Sequence, residues 1–398
     1  MRQPRTASGL TVVAVGALAI AVALIGGSQM LGGSARASTA SSHPPTAAAP
    51  APHSVPTRAP SSVAVVRREG GRDALWSVAP VGAAATKLAD LSFRPVHIEA
   101  SPYGAKLALL PSAGGPRVFV YDRAAGTLKS LSLAARGVRQ VDAVTWLSNQ
   151  RLIVSGSRTA IGAYALNDRL YVLNVATGTS AWFRSLHGSE PTVAGRARRL
   201  VYVRLSDAGP NPDQPGTRLV SEKLLSLKLV SGATPRVIAR NRYPGDVDIR
   251  AFRDPRVSPD GRSVISSTTG SDVAATYTLR AVASGKRLFR RNTQLAGRDA
   301  TAWDAQGARV AFWGIALSAP QATRIYIYDL AADKLTAVGR YADRDATGLS
   351  WAPDGSRLAY TLSAFGNPVD RGRLWIVDPA TPAAAQVLGA GSLPAWLP

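Results

Sequence analysis

Cysteine is absent from the 398 residues, which excludes thiol catalysis, cysteine-ligated zinc or iron–sulfur centres and any disulfide framework. Histidine is nearly absent: the chain has four, and only His97 and His187 fall in the part that reads as folded. A serine hydrolase or a multi-histidine metal site is hard to assemble from that stock. The chain also lacks a GxSxG nucleophile elbow, an HExxH helix, a Walker loop and a complete dinucleotide-binding fingerprint. GDVDIR at Gly245 and DAGPNPD at Asp207 bring oxygen ligands close together, without the length and Gly–Glu pattern of an EF-hand loop. No cofactor and no metal are therefore expected. Lysine is scarce, and arginine supplies most of the positive charge.

What is present is a large apolar stock, 46% of the chain, with Gly 36 and Pro 27 to make many turns. Lys+Arg 47 against Asp+Glu 25 leave a net charge of +22. A charge of that size attracts lipid headgroups, acidic wall polymers or nucleic acid. The competing reading is compositional bias, because the arginines are scattered along the chain and form no dense run. No aromatic–basic platform is evident, which argues against nucleic acid as the partner.

The N-terminus reads as an export signal. Arg2 and Arg5 precede an apolar stretch from Leu10 to Ile25, and Ala35-Arg36-Ala37 offers a cleavage site. Leu10 to Leu31 is also long enough for an uncleaved membrane anchor. Residues 1–37 are thus a signal peptide or an anchor, and the chain is expected outside the cytoplasm, secreted or held on the outer side of the membrane. Residues 38–61, rich in Pro, Ala and Ser, have no hydrophobic periodicity and read as a disordered, semi-extended tether.

From residue 62 to 398 the sequence repeats. RVSPDGRSVISS from Arg256 and SWAPDGSRLAYT from Ser350 nearly superimpose, with weaker copies from Glu99, Thr145, Thr192 and Ala302. In each strong copy a proline presets φ (Pro259, Pro353), an aspartate accepts backbone N–H groups (Asp260, Asp354), and a glycine takes φ > 0 (Gly261, Gly355). A second phrase follows each copy, as in VFVYDRAAGTL from Val118 and IYIYDLAADKL from Ile325, with period-two alternation. Each repeat supplies four short strands, the content of one propeller blade. The C-terminal SLPAWLP places Trp396 where Trp351 stands and then stops, while the segment from Ser62 supplies three strands and lacks an inner one. The two ends complete one blade, so an all-β propeller of seven four-stranded blades is expected, with six or eight as the alternatives. The interval from Ala194 to Pro259 is too long, and Leu205–Arg218 reads as an exposed loop.

The SPDG and APDG turns, each followed by an apolar strand and a YxxD- or WIVD-type strand, resemble the TolB-like (WD40-like) β-propeller repeat. The resemblance covers residues 62–398 and implies a propeller fold. That family includes the TolB protein of the Tol–Pal envelope system and the propellers of prolyl oligopeptidases. An N-terminal α/β domain like TolB's has no counterpart in this sequence, so a role in that system is not implied. The motif marks a fold, and a fold does not fix a function.

One chemical pattern runs through the repeats. The residues entering six of the inner strands are ionisable: His97, Asp142, Glu190, Asp254, Asp299 and Asp345, with Arg253, Arg298 and Arg344 beside three of them. These groups would ring one mouth of the central channel and could take a cation, a basic peptide or a polar ligand. Alternatively, each carboxylate caps its own connector turn or pairs with the adjacent arginine. The expected function is a non-enzymatic extracytoplasmic binding or scaffold propeller, monomeric, that recognises a protein or an anionic envelope component. The competing expectation is a lyase or hydrolase acting on an anionic glycan, with His97 or His187 and a funnel carboxylate supplying acid–base chemistry.

Overall fold

The computed structural model describes residues 62–81, 84–158, 168–244, 250–269, 275–293, 300–315, 322–341, 344–364 and 372–397. The signal or anchor, the tether, most of GDVDIR, and both Arg298 and Asp299 lie outside the described residues. The described residues belong to one compact unit.

Among the described residues, 28 strands form seven four-stranded antiparallel sheets, the blades of a propeller. Blade 1 contains β1 (Ser62–Glu69), β2 (Arg72–Val78) and β3 (Ala85–Leu91). Blade 2 contains β4 (Pro95–Ala100), β5 (Lys106–Pro111), β6 (Arg117–Asp122) and β7 (Thr127–Ser132). Blade 3 contains β8 (Gln140–Ser148), β9 (Arg151–Ser157), β10 (Arg169–Asn174) and β11 (Ser180–His187). Blade 4 contains β12 (Ser189–Ala194), β13 (Arg199–Pro210), β14 (Arg218–Lys228) and β15 (Arg236–Pro244). Blade 5 contains β16 (Arg250–Val257), β17 (Ser263–Thr269), β18 (Ala275–Ala281) and β19 (Arg287–Thr293). Blade 6 contains β20 (Thr301–Trp303), β21 (Arg309–Ile315), β22 (Thr323–Asp329) and β23 (Lys334–Tyr341). Blade 7 contains β24 (Arg344–Trp351), β25 (Leu358–Ala364), β26 (Arg373–Val377) and β27 (Gln386–Ala390). The final strand, β28 (Ser392–Leu397), pairs with β1 and supplies the inner strand of blade 1.

The turn chemistry is local. Gly261 and Gly355 sit at φ +70° and +72°. Asp260 accepts the Arg262 N–H at 3.0 Å, and Asp354 accepts that of Ser356 at 2.9 Å. A side chain at Gly261 would meet the Ala197 methyl of blade 4, so the turn also seats one blade against the next. Asp122, Asn174, Asp329 and Asp378 at the strand ends accept N–H groups from the turns that follow them.

The core lies between blades. Strand residues of alternate parity pack on opposite neighbours: Val63, Val65 and Trp396 meet Leu374 and Ile376 of blade 7, whereas Ala64, Val66 and Leu397 meet Leu107 and Leu109 of blade 2. The inner strands β28, β4, β8, β12, β16, β20 and β24 touch in that order and return to β28, which closes the ring.

One expectation is corrected. Leu205–Arg218 is not mainly a loop, because β13 and β14 continue through it as a hairpin paired from Arg199↔Lys228 to Pro210↔Arg218. Only residues 211–217 turn, held by Asn211 N–H to Thr217 O at 3.0 Å. The segment hides its strand character because its residues are largely polar and no buried apolar face enforces the period-two pattern.

Candidate functional site

The inner strands enclose a cavity of about 290 Å³ along the channel, lined from β4, β16, β20, β24 and β28. Its polar wall includes His97, Glu99, Arg256 and Thr301, and its aromatic wall Trp303 and Trp351. Period-two alternation explains one of these placements: Glu99 follows His97 by two residues in the regularly paired part of β4, so the two share a strand face.

Most of these groups are already engaged. Glu99 Oε1 accepts from the Thr145 hydroxyl at 3.0 Å and the Trp146 N–H at 3.2 Å, both on blade 3. Its other oxygen lies 3.5 Å from the buried His97 Nε2. Arg256 pairs with Asp254 at 3.1 Å. Thr301 differs: its hydroxyl is buried in the cavity wall and has no hydrogen-bond partner within the described residues.

The indoles do a second job. Trp146, Trp303 and Trp351 each donate their ring N–H to a backbone carbonyl of the preceding blade, those of Glu99, Arg256 and Ala302, at 3.0, 2.8 and 3.0 Å. At these three places the tryptophan of the repeat fastens adjacent blades, and Trp303 and Trp351 also wall the channel. In the sequence these residues mark the repeat phase, but their bonding partners belong to another repeat and cannot be read there.

The ionisable residues at the inner-strand starts coincide with irregular pairing. Asp142 is the extra residue between Val141 and Ala143, Glu190 lies in the shift between Ser189 and Thr192, and Asp254 lies in that between Arg253 and Arg256. Such bulges redirect side chains out of the normal pleat. Glu190 and Asp254 also hold positive φ, +49° and +46°, each immediately before a proline. Their carboxylates run from blade to blade: Glu190 Oε2 accepts the Asp254 N–H at 2.6 Å, and Asp254 Oδ2 accepts the Ala300 N–H at 3.3 Å. Asp345 is half-buried near the start of β24, while Arg253 and Arg344 are exposed. Among the described residues, His97 is the member of the sequence-selected group that lines the cavity, and Glu99, Arg256 and Thr301 line it without having been singled out. Among the described residues, no group of three or more His, Asp or Glu is arranged to hold a metal ion, and no helix is long and apolar enough to cross a membrane.

His187 lies elsewhere, at the end of β11, the outermost strand of blade 3. Burial, with the Arg169 and Arg204 guanidiniums nearby, holds its imidazole below the ordinary histidine value. The unfolded chain, titrating near ~6.5, therefore takes up a proton that the folded chain resists. Stability from this group is full above the unfolded value and falls as pH drops through ~6.5 toward the depressed one. The thermal midpoint is expected to fall less between about pH 7.5 and pH 5.5 in His187→Gln than in the parent protein. An equal fall in both proteins would show that His187 carries none of the acid sensitivity.

No family model matches the sequence, and no curated protein matches it. Solved structures do resemble it. Hydrazine synthase of Kuenenia stuttgartiensis is 15% identical with a TM-score of 0.47, covering 71% of this chain and 76% of that one. TolB of Acinetobacter baumannii is 16% identical with a TM-score of 0.45, covering 85% and 67%. Puromycin hydrolase is 15% identical with a TM-score of 0.51, and this chain spans 53% of its length while 84% of this chain is covered. At these identities the likeness is one of fold, and by its own strand order the chain is a seven-bladed β-propeller closed by its two ends.

Proposed function

We propose that the protein is a non-enzymatic, extracytoplasmic binding propeller that recognises a protein or cell-envelope component through the channel face. The Thr301 hydroxyl carries this reading: a buried polar atom without a partner among the described residues, set in the wall of a preformed cavity, suits a ligand's hydrogen bond. The charged groups of the wall are already engaged within the ring, Glu99 by Thr145 and Trp146 and Arg256 by Asp254, which suits recognition better than proton transfer. Thr301→Val keeps the shape and removes only the hydroxyl, so the fold should be unharmed. In a pull-down from envelope extract with the full chain, recovery of a bound component is expected to drop by about fivefold, the worth of one hydrogen bond. Equal recovery by both proteins would place recognition elsewhere.

A second reading has its own observation. His97, Glu99 and Arg256 line one cavity, the combination that acid–base cleavage of an anionic glycan would need. Turnover of such a glycan by the parent protein, lost in His97→Gln, would establish that reading over the first.

A further inference from the structure

We infer that the flank between blades 3 and 4 is a binding site for a linear acidic polysaccharide. The inference deepens the envelope-binding reading but uses a surface apart from the channel.

The hairpin that lengthens β13 and β14 sets three cations in register. Arg204 faces Lys223, and Lys223 faces Arg240, directly across β13, β14 and β15. The next row outward on the same sheet face is Ser206, Ser221 and Arg242. Like charges directly opposite one another on a sheet repel. Among the described residues none of these four cations has an ion-pair partner. Glu222 does not relieve them: it is one residue from Lys223 and points to the opposite face.

The same sheet face packs on blade 3. One row inward, Tyr202, Leu225 and Val237 join Ile153, Leu170, Phe183 and Leu186 of blade 3 in a shared apolar cluster. The cationic row therefore stands just outside that seam, and blade 3 meets it with more positive charge. Arg169 pairs across strands with His187, and its guanidinium lies 4.3 Å from the Trp182 ring centroid. Arg169 Nε is buried without a hydrogen-bond partner. The imidazole of His187 feels both Arg169 and Arg204, which places cations from the two blades around one spot. Trp182 is 38% exposed and leaves apolar ring surface beside them.

An internally uncompensated row of cations is complementary to an external row of anions. Strands lie about 4.8 Å apart, so successive charges repeat at nearly the rise of one sugar in an extended chain. Guanidinium groups grip carboxylates bidentately, and an exposed indole packs on sugar C–H faces. A single exposed indole is too little for the successive stacking that single-stranded nucleic acid uses. A uronic acid polymer fits all three features.

The test is titration of the full chain with defined oligogalacturonate, beside inorganic polyphosphate and single-stranded DNA of matched charge. Intrinsic tryptophan fluorescence and calorimetry report binding. The parent protein is expected to bind oligogalacturonate more tightly than either other polyanion. A variant carrying Lys223→Ala and Arg240→Ala is expected to lose about tenfold or more in affinity, and its log–log salt slope should shrink by about one for each cation removed. Its thermal midpoint should hold or rise, because repelling charges have been removed. A control with Arg287→Ala and Arg290→Ala on β19, an equal loss of charge elsewhere, should bind like the parent. Polyphosphate or DNA binding at least as tightly, or equal losses in the two double variants, would overturn the inference. Thr301→Val should leave this binding intact, so failure of the flank and failure of the channel reading are told apart.

Discussion

Removal of residues 392–398 is expected to abolish the folded monomer, not merely to lower its stability. All six residues of β28 are buried. The strand supplies the inner edge of blade 1 through pairs from Ser62↔Leu397 to Val66↔Ser392. It also contributes to two clusters at once: Trp396 to the one shared with blade 7, and Leu393, Ala395 and Leu397 to the one shared with blade 2. Burying each large apolar side chain is worth about 1.5–3 kcal/mol, so Leu393, Trp396 and Leu397 together supply roughly 5–9 kcal/mol. That is comparable to the whole stability of an ordinary domain, about 5–15 kcal/mol. Truncation further exposes the β1 edge, a template for pairing with other chains. Light scattering after size exclusion should show aggregate in place of monomer, and the thermal midpoint of the parent should be lost. A monomer that melts like the parent would show that the ring is held without its closing strand.

The repeat architecture could be read from the sequence because its determinants are local. Pro259-Asp260-Gly261 and Pro353-Asp354-Gly355 form their turns with their own side chains and their own φ values. Closure could be read from phase, since Trp396 falls where Trp351 does and leaves an inner strand in search of a hairpin. The β13–β14 hairpin could not, because Asp207, Gly209, Pro210, Pro212 and Pro215 are turn residues by composition. Pairing with β15, which extends from Leu219↔Pro244 to Ser226↔Arg236, carries those strands outward regardless. The site shows the same division. Position in the repeat picked out Glu190 and Asp254, whereas their partners are N–H groups 64 and 46 residues away. Thr301 looks ordinary in sequence, and only its burial beside the cavity gives its hydroxyl meaning.

Asp254→Ala is the second large effect, and it decides what the acidic residues of the inner-strand starts are for. Asp254 is held at 14% side-chain exposure between the Ala300 N–H and the Arg256 guanidinium. Truncation removes the carboxylate that faces the Arg256 guanidinium in the channel wall. Breaking a buried pair from one side costs about 3–5 kcal/mol, and partial exposure brings that to about 2–4 here. The backbone adds to the loss: at φ +46° aspartate and asparagine are tolerated, while alanine incurs up to about 1 kcal/mol more. Asp254→Asn keeps that tolerance and an acceptor for Ala300 but removes the same charge beside Arg256, so it should cost about 1–2 kcal/mol less than alanine. Glu190→Gln, which still offers an oxygen to the Asp254 N–H, should cost about 1 kcal/mol or less. Urea midpoints of the three variants measure the order. A ladder of Ala well below Asn, with Glu190→Gln near the parent, means that these carboxylates fasten blades 4, 5 and 6 together. In that case, loss of a partner in an Asp254→Ala variant would report a loosened ring, and a ligand at the channel must be tested through Thr301. If Asp254→Ala costs no more than about 0.5 kcal/mol, as an ordinary surface substitution does, the carboxylate is dispensable to the fold. Its strained placement at the channel start would then need a ligand to account for it.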